Sequence, residues 1–261
     1  MVILVGLGCL FLVAGAAAWI GFHGLQRTLA NVREAKSRTV KELTGMAAGA
    51  ARTSGVGKFR LYCEVNGSGG CVEPVRSRIK SEPCLYYETT VSREYDERDT
   101  QGFLHTRTEV VFVDRRWSKF WVEDATGRIA VDPTGAEVEM VLVAEAYVPS
   151  TTGSELTIGG FTCALPGASG HTLRYSVAER ILPAGRRLYV LGDVTDAGGE
   201  LHVAAPSEGG RHFIITLKTE KELAEVTAAK AKFARLGAIV LTALGVAGVL
   251  GGIAVWLLFD V

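Results

Sequence analysis

Two uncharged apolar runs, one near each end of the chain, constrain its fold more than any other feature. Residues 2–22 and 236–259 contain no Asp, Glu, Lys or Arg. A helix needs about 20 apolar residues to cross the hydrocarbon core of a bilayer, and neither run has the polar face of an amphipathic helix. We therefore predict two transmembrane helices rather than two buried core helices. The first run lacks the basic residues that begin a cleaved signal peptide, so we interpret it as a signal anchor.

Basic residues beside the two runs predict the membrane topology. They follow the first run and precede the second, while the outer ends of the runs carry no Lys or Arg. Lys and Arg are enriched on the cytoplasmic side of membrane helices. We therefore predict an integral two-pass protein with its central region in the cytoplasm and both termini outside. The basic residues are Arg27, Arg33, Lys36, Arg38 and Lys41, then Lys218, Lys221, Lys230, Lys232 and Arg235.

The central region alternates apolar and polar residues in short segments. In "KFRLYCEV", Phe59, Leu61, Cys63 and Val65 fall on one side of an extended chain. Similar segments follow, among them "CLYYETTVSREY", "FLHTRTEVVFVDRR" and "RRLYVLGDV", with Gly, Pro, Asp or Asn between them. A period of two residues predicts half-buried strands. Residues 58–217 are therefore predicted to form one β-rich domain, either a barrel or a sandwich.

Three segments connect this domain to the apolar runs. Residues 23–43 are rich in helix formers and predict a juxtamembrane helix. Residues 44–57, "TGMAAGAARTSGVG", predict a linker of small residues. Residues 218–235 predict a second juxtamembrane helix, in which Thr219 and Glu222 have the spacing of a capping box. The predicted fold class is a membrane-anchored α+β protein, in which two transmembrane helices with helical stalks flank one β-rich domain.

No catalytic motif occurs in the sequence. The phosphate-binding pattern G-x-x-x-x-G-K-[ST], the nucleophile pattern G-x-S-x-G and the metalloprotease pattern H-E-x-x-H are all missing. The five cysteines include no C-x2-C pair, which favours free thiols over a zinc site or a regular disulfide set. We therefore assign no catalytic, metal-binding or cofactor-binding residue, and expect no cofactor. The cysteines are Cys9, Cys63, Cys71, Cys84 and Cys163.

Several weaker patterns leave alternatives open. His202 and His212 are predicted on neighbouring strands, where they could approach each other. The stretch "DRRWSKFW" mixes basic and aromatic residues, which suits nucleic acid or lipid headgroups, although a strand with one packed face is the commoner meaning. An enzyme pocket assembled only by the fold would lie around Cys84, His105 or His171.

The apolar runs also contain small residues at helical spacing. Gly248 and Gly252 form a G-x-x-x-G pattern, and Ala14 and Ala18 form a similar pair. Small residues at this spacing let two helices approach closely. The pattern fits pairing within one chain or a homo-oligomer formed through the transmembrane helices.

Four stretches resemble a known family. They are "SEPCLYYETTVSREYD", "FWVEDATGRIAVDPTGAEV", "AERILPAGRRLYVLGDV" and "FIIT", the last followed by a charged helix and an apolar run. Together they resemble GIDE-type proteins, also called mitochondrial-anchored protein ligases, whose middle region is the "beside a membrane" domain. The resemblance implies an E3 ubiquitin ligase with a RING finger after the second membrane helix, and a β domain facing away from the cytosol.

Two features depart from that family pattern. A RING finger needs paired Cys and His ligands for two zinc ions, and no such pair follows the second apolar run. The resemblance therefore implies a prokaryotic relative without a RING, which we expect in the cell membrane. The charge pattern also predicts a cytoplasmic β domain, against the family's orientation.

These observations predict a membrane-anchored, non-catalytic binding or scaffold module that displays a GIDE-like β domain beside the bilayer. The expected partners are membrane lipid, a protein of unknown identity and a second copy of the chain; no nucleic acid is expected. The alternatives are an E3 ubiquitin-protein transferase, disfavoured because no RING is seen, and an enzyme or enzyme accessory with an unrecognised pocket.

Overall fold

The computed structural model describes residues 2–150, 154–165 and 171–259. In this part of the chain, the helices are α1 (Val2–Glu34), α2 (Val40–Ser54) and α3 (Glu220–Phe259). The strands are β1 (Arg60–Cys71), β2 (Val75–Arg76), β3 (Pro83–Cys84), β4 (Tyr86–Arg98), β5 (Leu104–Trp117), β6 (Phe120–Asp124), β7 (Gly127–Val131), β8 (Glu137–Val138), β9 (Val141–Pro149), β10 (Glu155–Ile158), β11 (Phe161–Ala164), β12 (His171–Leu182), β13 (Arg187–Thr195), β14 (His202–Ala204) and β15 (Ile214–Thr216).

The chain divides into two compact units. The first comprises Met1–Lys36, Glu208–His212 and Lys218–Val261, and contains α1 and α3. The second comprises Ser37–Ser207 and Phe213–Leu217, and contains α2 and all the strands described above. The predicted arrangement of two long apolar helices flanking one β-rich domain is confirmed.

In the first unit, α1 and α3 pack against each other in opposite directions. A Cβ atom added to Gly8 would lie 2.7 Å from the backbone nitrogen of Val249, and one added to Gly252 would lie 2.5 Å from a side-chain carbon of Val5. The helices are therefore too close at these positions for any side chain larger than hydrogen. Gly252, which we predicted at a helix–helix contact, makes that contact within the chain.

Small residues repeat every seven positions along the buried side of α3. Ala231, Ala238, Gly245 and Gly252 are all buried, and a seven-residue repeat keeps one face of a helix toward its partner. The remaining surface of both helices exposes large apolar side chains such as Ile20, which is 74% exposed. Both helices are long and apolar enough to cross a membrane, and they fit a two-pass membrane protein.

The predicted linker over residues 44–57 is wrong, because Val40–Ser54 forms α2. Thr39 caps this helix: its Oγ1 accepts a hydrogen bond from the Glu42 amide at 3.3 Å, and its own amide donates to Glu42 Oε2 at 3.1 Å. This reciprocal capping box stabilises the first turn. Alanine is the best helix former, so a stretch rich in small residues here continues a helix instead of breaking it.

Of the two predicted juxtamembrane helices, the first ends earlier than predicted, whereas the second is helical and runs into the apolar run as predicted. The first apolar run and the segment after it form one helix that ends at Glu34, well before residue 43. The segment before the second apolar run is continuous with it in α3. The predicted capping box at its start is confirmed, because the Thr219 amide donates to Glu222 Oε2 at 2.9 Å and Thr219 Oγ1 accepts from the Glu222 amide at 3.3 Å.

In the second unit, five strands close into a barrel. The strand β1 pairs with β6 and β13, β6 with β7, β7 with β14, and β14 with β13. The β7–β14 pair is parallel, and the other four pairs are antiparallel. A closed five-stranded barrel of this kind is the architecture of OB-folds, whose second and third strands commonly form the ligand-binding face. Here those strands are β6 and β7.

The barrel interior is filled by the alternate residues that the period of two predicts. Val65, Val122, Val190 and Val203 are fully buried, and Leu43 of α2 belongs to the same apolar cluster. The turn between β6 and β7 holds the start of α2, since Asp124 Oδ2 accepts a hydrogen bond from the Val40 amide at 2.8 Å. The helix therefore supports the two strands of the candidate ligand face.

Insertions in the barrel build a second sheet of order β5-β4-β12-β9. In the sequence, the β4–β5 hairpin is inserted between barrel strands β1 and β6. The strands β9 and β12 are inserted between β7 and β13. One face of this sheet is covered by the β10–β11 hairpin, through an apolar cluster that includes Val91, Leu156, Phe161 and Val177. The last residue of β5, Trp117, leads directly back to the barrel at β6.

Candidate functional site

A concave surface lies on the outer face of β6, β7 and β14. Trp121 pairs with Ala130, and Ala130 pairs with His202, so the three residues form a row across these strands. Their sequence neighbours Phe120, Val131 and Val203 are buried, and because side chains alternate across a strand, the row faces outward. The methyl group of Ala130 leaves a depression between the tryptophan and the histidine.

Two loops raise the walls of this depression. One is the β5–β6 connection, which contains Ser118 and Lys119, and the other is the β13–β14 loop, which contains Ala197, Gly198 and Glu200. Two adjoining cavities of about 560 and 620 Å³ share the Lys119, Ala130 and Glu200 lining. Each volume is in the range of ligand pockets in proteins.

Trp121 forms a fixed part of the groove. Its ring lies against Gly70 on β1, where an added Cβ would approach the indole Nε1 to 2.8 Å. The guanidinium carbon of Arg128 lies 4.9 Å from the centroid of the ring, a cation–π contact. The indole Nε1 donates a hydrogen bond to Glu123 Oε2 at 3.3 Å. These contacts hold the indole in one orientation.

Trp117 extends the groove toward the second sheet. It stacks on Tyr86 with a centroid distance of 5.7 Å and an interplanar angle of 7°, yet 43% of the residue stays exposed. It borders the 560 Å³ cavity and also a third cavity of about 710 Å³, which Pro133 lines as well. The three cavities therefore follow one another along the surface, and we call them together the barrel groove.

Charges of both signs line the barrel groove. Lys119 and Arg128 are accompanied by Glu73 and Glu200 in the first two cavities. In the third cavity, Arg115 Nε donates to Glu88 Oε2 at 2.5 Å, and Arg180 lies nearby. A groove of this kind lacks the excess of positive charge on which nucleic-acid binding depends.

Of the residues of the predicted enzyme pocket, Cys84 is not brought together with His105 or His171, which lie beside adjacent residues at the far end of β4. Cys84 lies just before the start of β4, whereas His105 pairs with Glu97 near the other end of that strand. At about 3.3 Å per residue, Tyr86 at the start of β4 and Glu97 are roughly 36 Å apart along the strand. His105 is instead paired with Asp99, at 2.9 Å between Nε2 and Oδ2, and His171 pairs with Asp96 on β4.

The buried thiols are poor nucleophiles. Burial raises the pKa of Cys84 to about 12, with further contributions from the carboxylates of Glu179 and Glu82. Burial also raises the pKa of Cys63 to about 12, against a smaller lowering by Arg38. Because only the thiolate is reactive, both side chains are protonated and unreactive at neutral pH.

The predicted approach of His202 and His212 is wrong. The strands β14 and β15 pair with successive parts of β13, so they are not neighbouring strands, and His212 lies before β15 rather than on it. His202 Nδ1 lies 2.9 Å from the carbonyl oxygen of Glu200, and His212 Nε2 lies 3.1 Å from Thr28 Oγ1. Across residues 2–150, 154–165 and 171–259, no three His, Cys, Asp or Glu side chains are grouped to hold a metal ion.

The stretch "DRRWSKFW" supplies one wall of the barrel groove. Arg115 and Trp117 end β5, Lys119 lies in the connection, and Trp121 lies on β6. The composition of this stretch indicated a candidate binding surface, but the sequence analysis did not identify Ala130 or Glu200 as part of one. The signal for Ala130 was present in "GRIAV", where alternation places Ala130 on the outer face of a strand beside buried Ile129 and Val131.

A family model described as GIDE, E3 ubiquitin ligase, matches residues 89–251. The chain belongs to the GIDE family. The matched residues run from β4 into the apolar part of α3 and include most of the barrel groove. The resemblance seen in the sequence is therefore confirmed. No curated protein and no solved structure matches the chain.

Proposed function

We propose that this GIDE-family chain is a membrane-anchored module that recruits a partner through the barrel groove and does not itself catalyse a reaction. The observation that carries this proposal is the groove itself, a preformed surface with two fixed tryptophans and charges of both signs. Ser118, a hydroxyl at its centre, is engaged structurally, since its Oγ donates to the carbonyl oxygen of Leu85 at 3.2 Å. The thiols of Cys63 and Cys84 are buried away from solvent.

Recruitment is tested by proximity labelling in the native membrane. Ala130 is exposed on the groove floor, so Ala130→Trp fills the groove without entering the barrel core. Ala164→Trp is the matched control, because Ala164 is also an exposed strand alanine, on β11. We expect a defined set of neighbours to be lost in Ala130→Trp and kept in Ala164→Trp. Identical neighbours in both variants would contradict a role for the groove.

The second candidate function is E3 ubiquitin-protein transfer, favoured by the description of the family. RING-type transfer depends on paired zinc ligands, and the 261 residues contain no C-x2-C pair. We therefore propose recruitment, and not transfer, for these residues. The test is a reaction of the purified chain with ubiquitin, ATP, an activating enzyme and a panel of conjugating enzymes. We expect the same amount of ubiquitin conjugates with and without the chain. Conjugates that form only when the chain is present would reject the proposal.

The proposed orientation places the β domain in the cytoplasm of a prokaryotic cell, with α1 and α3 inserted as a hairpin. Support comes from basic residues at one end of the hairpin: Arg27 follows the first apolar run, and Lys230 and Arg235 precede the second. A reporter that fluoresces only in the cytoplasm would be inserted in residues 55–58, or fused after Val261. We expect signal from the internal insertion alone; signal from the terminal fusion alone would reverse the orientation. The apolar outer surface of the hairpin would contact membrane lipid.

A homo-oligomer through the transmembrane helices remains a separate proposal, to which the Gly252 contact inside the chain lends no support. Cross-linking in native membranes, followed by gel electrophoresis, tests it.

A further inference from the structure

The barrel groove is longer than a small ligand needs. The 620 Å³ and 560 Å³ cavities share the floor at Ala130, and the 560 Å³ and 710 Å³ cavities meet at Trp117 and Pro133. A continuous path therefore runs from the end of β1, over the outer face of the barrel, to the cleft beside the second sheet. Such a path suits a linear chain better than a compact molecule.

The lining charges narrow the chemistry of that chain. Basic and acidic side chains occur in each section of the groove: Arg128 with Glu73, Lys119 with Glu200, and Arg115 with Glu88. A polyanion such as a nucleic acid would meet carboxylates as well as basic groups in each section. A polypeptide carries no backbone charge, and its side chains of either sign find partners along this path.

The aromatic residue beside Ala130 also favours a polypeptide over a carbohydrate. The ring of Trp121 is held between Gly70 and Arg128. A sugar ring needs an open aromatic face, whereas an apolar side chain needs a depression with aromatic walls. The depression over Ala130, beside Trp121, provides this.

We infer that the barrel groove binds an extended segment of a polypeptide, with an apolar side chain seated over Ala130 and flanking charged residues near Lys119 and Glu200. The inference rests on the proposed recruitment function and names the chemistry of its partner. Tight, shape-fitting burial of one apolar anchor within a polar rim is the usual organisation of such interfaces.

The test uses the full chain in lipid nanodiscs and a phage-displayed library of dodecapeptides. Enriched peptides are synthesised with a fluorescent label and titrated by anisotropy. We expect enrichment of sequences with a large apolar residue flanked by charges, and an affinity at least tenfold weaker in Ala130→Trp. The control Ala164→Trp should bind within twofold of the unmodified chain. Failure to enrich any peptide, or equal affinity for Ala130→Trp, would overturn the inference.

Other linear ligands are tested in the same titration. A labelled single-stranded dodecathymidine and a labelled maltoheptaose are expected to show no binding that Ala130→Trp abolishes. If either bound in that way while no peptide did, the polypeptide would be the wrong ligand. The recruitment proposal is tested by a different experiment and would be rejected if Ala130→Trp left proximity labelling in the membrane unchanged. The two results therefore distinguish a wrong ligand from a wrong function.

Discussion

The helical hairpin and the barrel are packed by opposite means. Along the hairpin, α1 and α3 meet where side chains are missing, at residues such as Gly8 and Gly252. Inside the barrel, the strands are held apart by side chains such as Leu188 and Phe120, which are almost completely buried. In lipid, moving an apolar side chain from the acyl chains into a helix contact gives no hydrophobic free energy, so helices associate through close backbone contact. In water, the burial of large apolar side chains supplies the main driving force.

The comparison teaches which substitution each region tolerates. The barrel should lose stability when a side chain is shortened, because a cavity forms. The hairpin should lose stability when a glycine of the contact is enlarged, because the backbones must separate. Four predictions test this contrast, from the largest expected effect to the smallest.

The first prediction concerns solvent exclusion by the barrel. The pKa of Cys63 rises from 9.0 to about 12 through burial, so at pH 8 its thiolate fraction is about a thousandfold below that of an unburied thiol. Alkylation of Cys63 by iodoacetamide should be slower in the folded chain by at least about that factor, because the buried thiol is also out of reach of the reagent. Site-resolved mass spectrometry measures the rate, with the unfolded chain as the reference. Alkylation at the same rate in both states would show that water enters the barrel.

The second prediction removes a large side chain from the barrel. Leu188 is fully buried and belongs to the same apolar cluster as Leu85 and Phe120. Leu188→Ala should lower the free energy of unfolding of the β domain by about 2–5 kcal/mol, the usual cost of such a cavity. Denaturant unfolding followed by tryptophan fluorescence measures the loss. A change below about 1 kcal/mol would mean that the barrel repacks.

The third prediction adds a side chain to the hairpin. Gly8→Leu places a Cβ 2.7 Å from the Val249 nitrogen, and overpacking of this kind costs roughly 1–3 kcal/mol. Gly6→Leu is the matched control, because nothing lies within 4 Å of its added Cβ. Titration with SDS, followed by energy transfer between labels on α1 and α3, measures helix separation. Equal midpoints for the two variants would disprove the close contact.

The fourth prediction removes the cap of α2. Thr39→Ala deletes the oxygen that accepts from the Glu42 amide, and loss of an N-cap costs about 1 kcal/mol. Thr53→Ala serves as a control near the other end of the helix, where the hydroxyl bonds only within its own helix, to Gly49 and Ala50 carbonyl oxygens. Denaturant unfolding should separate the two variants. Identical midpoints would show that the hydrogen bonds of Val40 and Lys41 to the β6–β7 turn are sufficient to hold the start of α2.

Much of the fold was predictable because its signals are local. The uncharged runs, the period-two segments and the capping box at Thr219 depend on residues that are close in sequence. The helix α2 was missed although its capping box at Thr39 and Glu42 has the same T-x-x-E spacing. Its small residues were read as a linker, when alanine outweighs the two glycines in helix propensity.

The barrel groove was only partly predictable, because its walls come from distant segments. Trp121 and Ala130 lie close in sequence, but Glu200 reaches the same surface through the pairing of β13 with β1 and β14. Pairings of this kind leave no local pattern. The predicted pocket around Cys84 and His105 failed for the same reason, since sequence alone does not show that β4 separates the two residues.

The closure of the barrel has a consequence for synthesis. Arg60–Cys71 of β1 pairs with Arg187–Thr195 of β13, which the ribosome makes roughly 120 residues later. At about 5–20 residues per second, β1 emerges some 6–24 s before its partner exists. By then α1 is already complete, while α3, the second half of the hairpin, is still to come. The nascent chain therefore passes through a stage in which neither the hairpin nor the barrel is able to close, and the two units are completed in quick succession as the last quarter of the chain is translated.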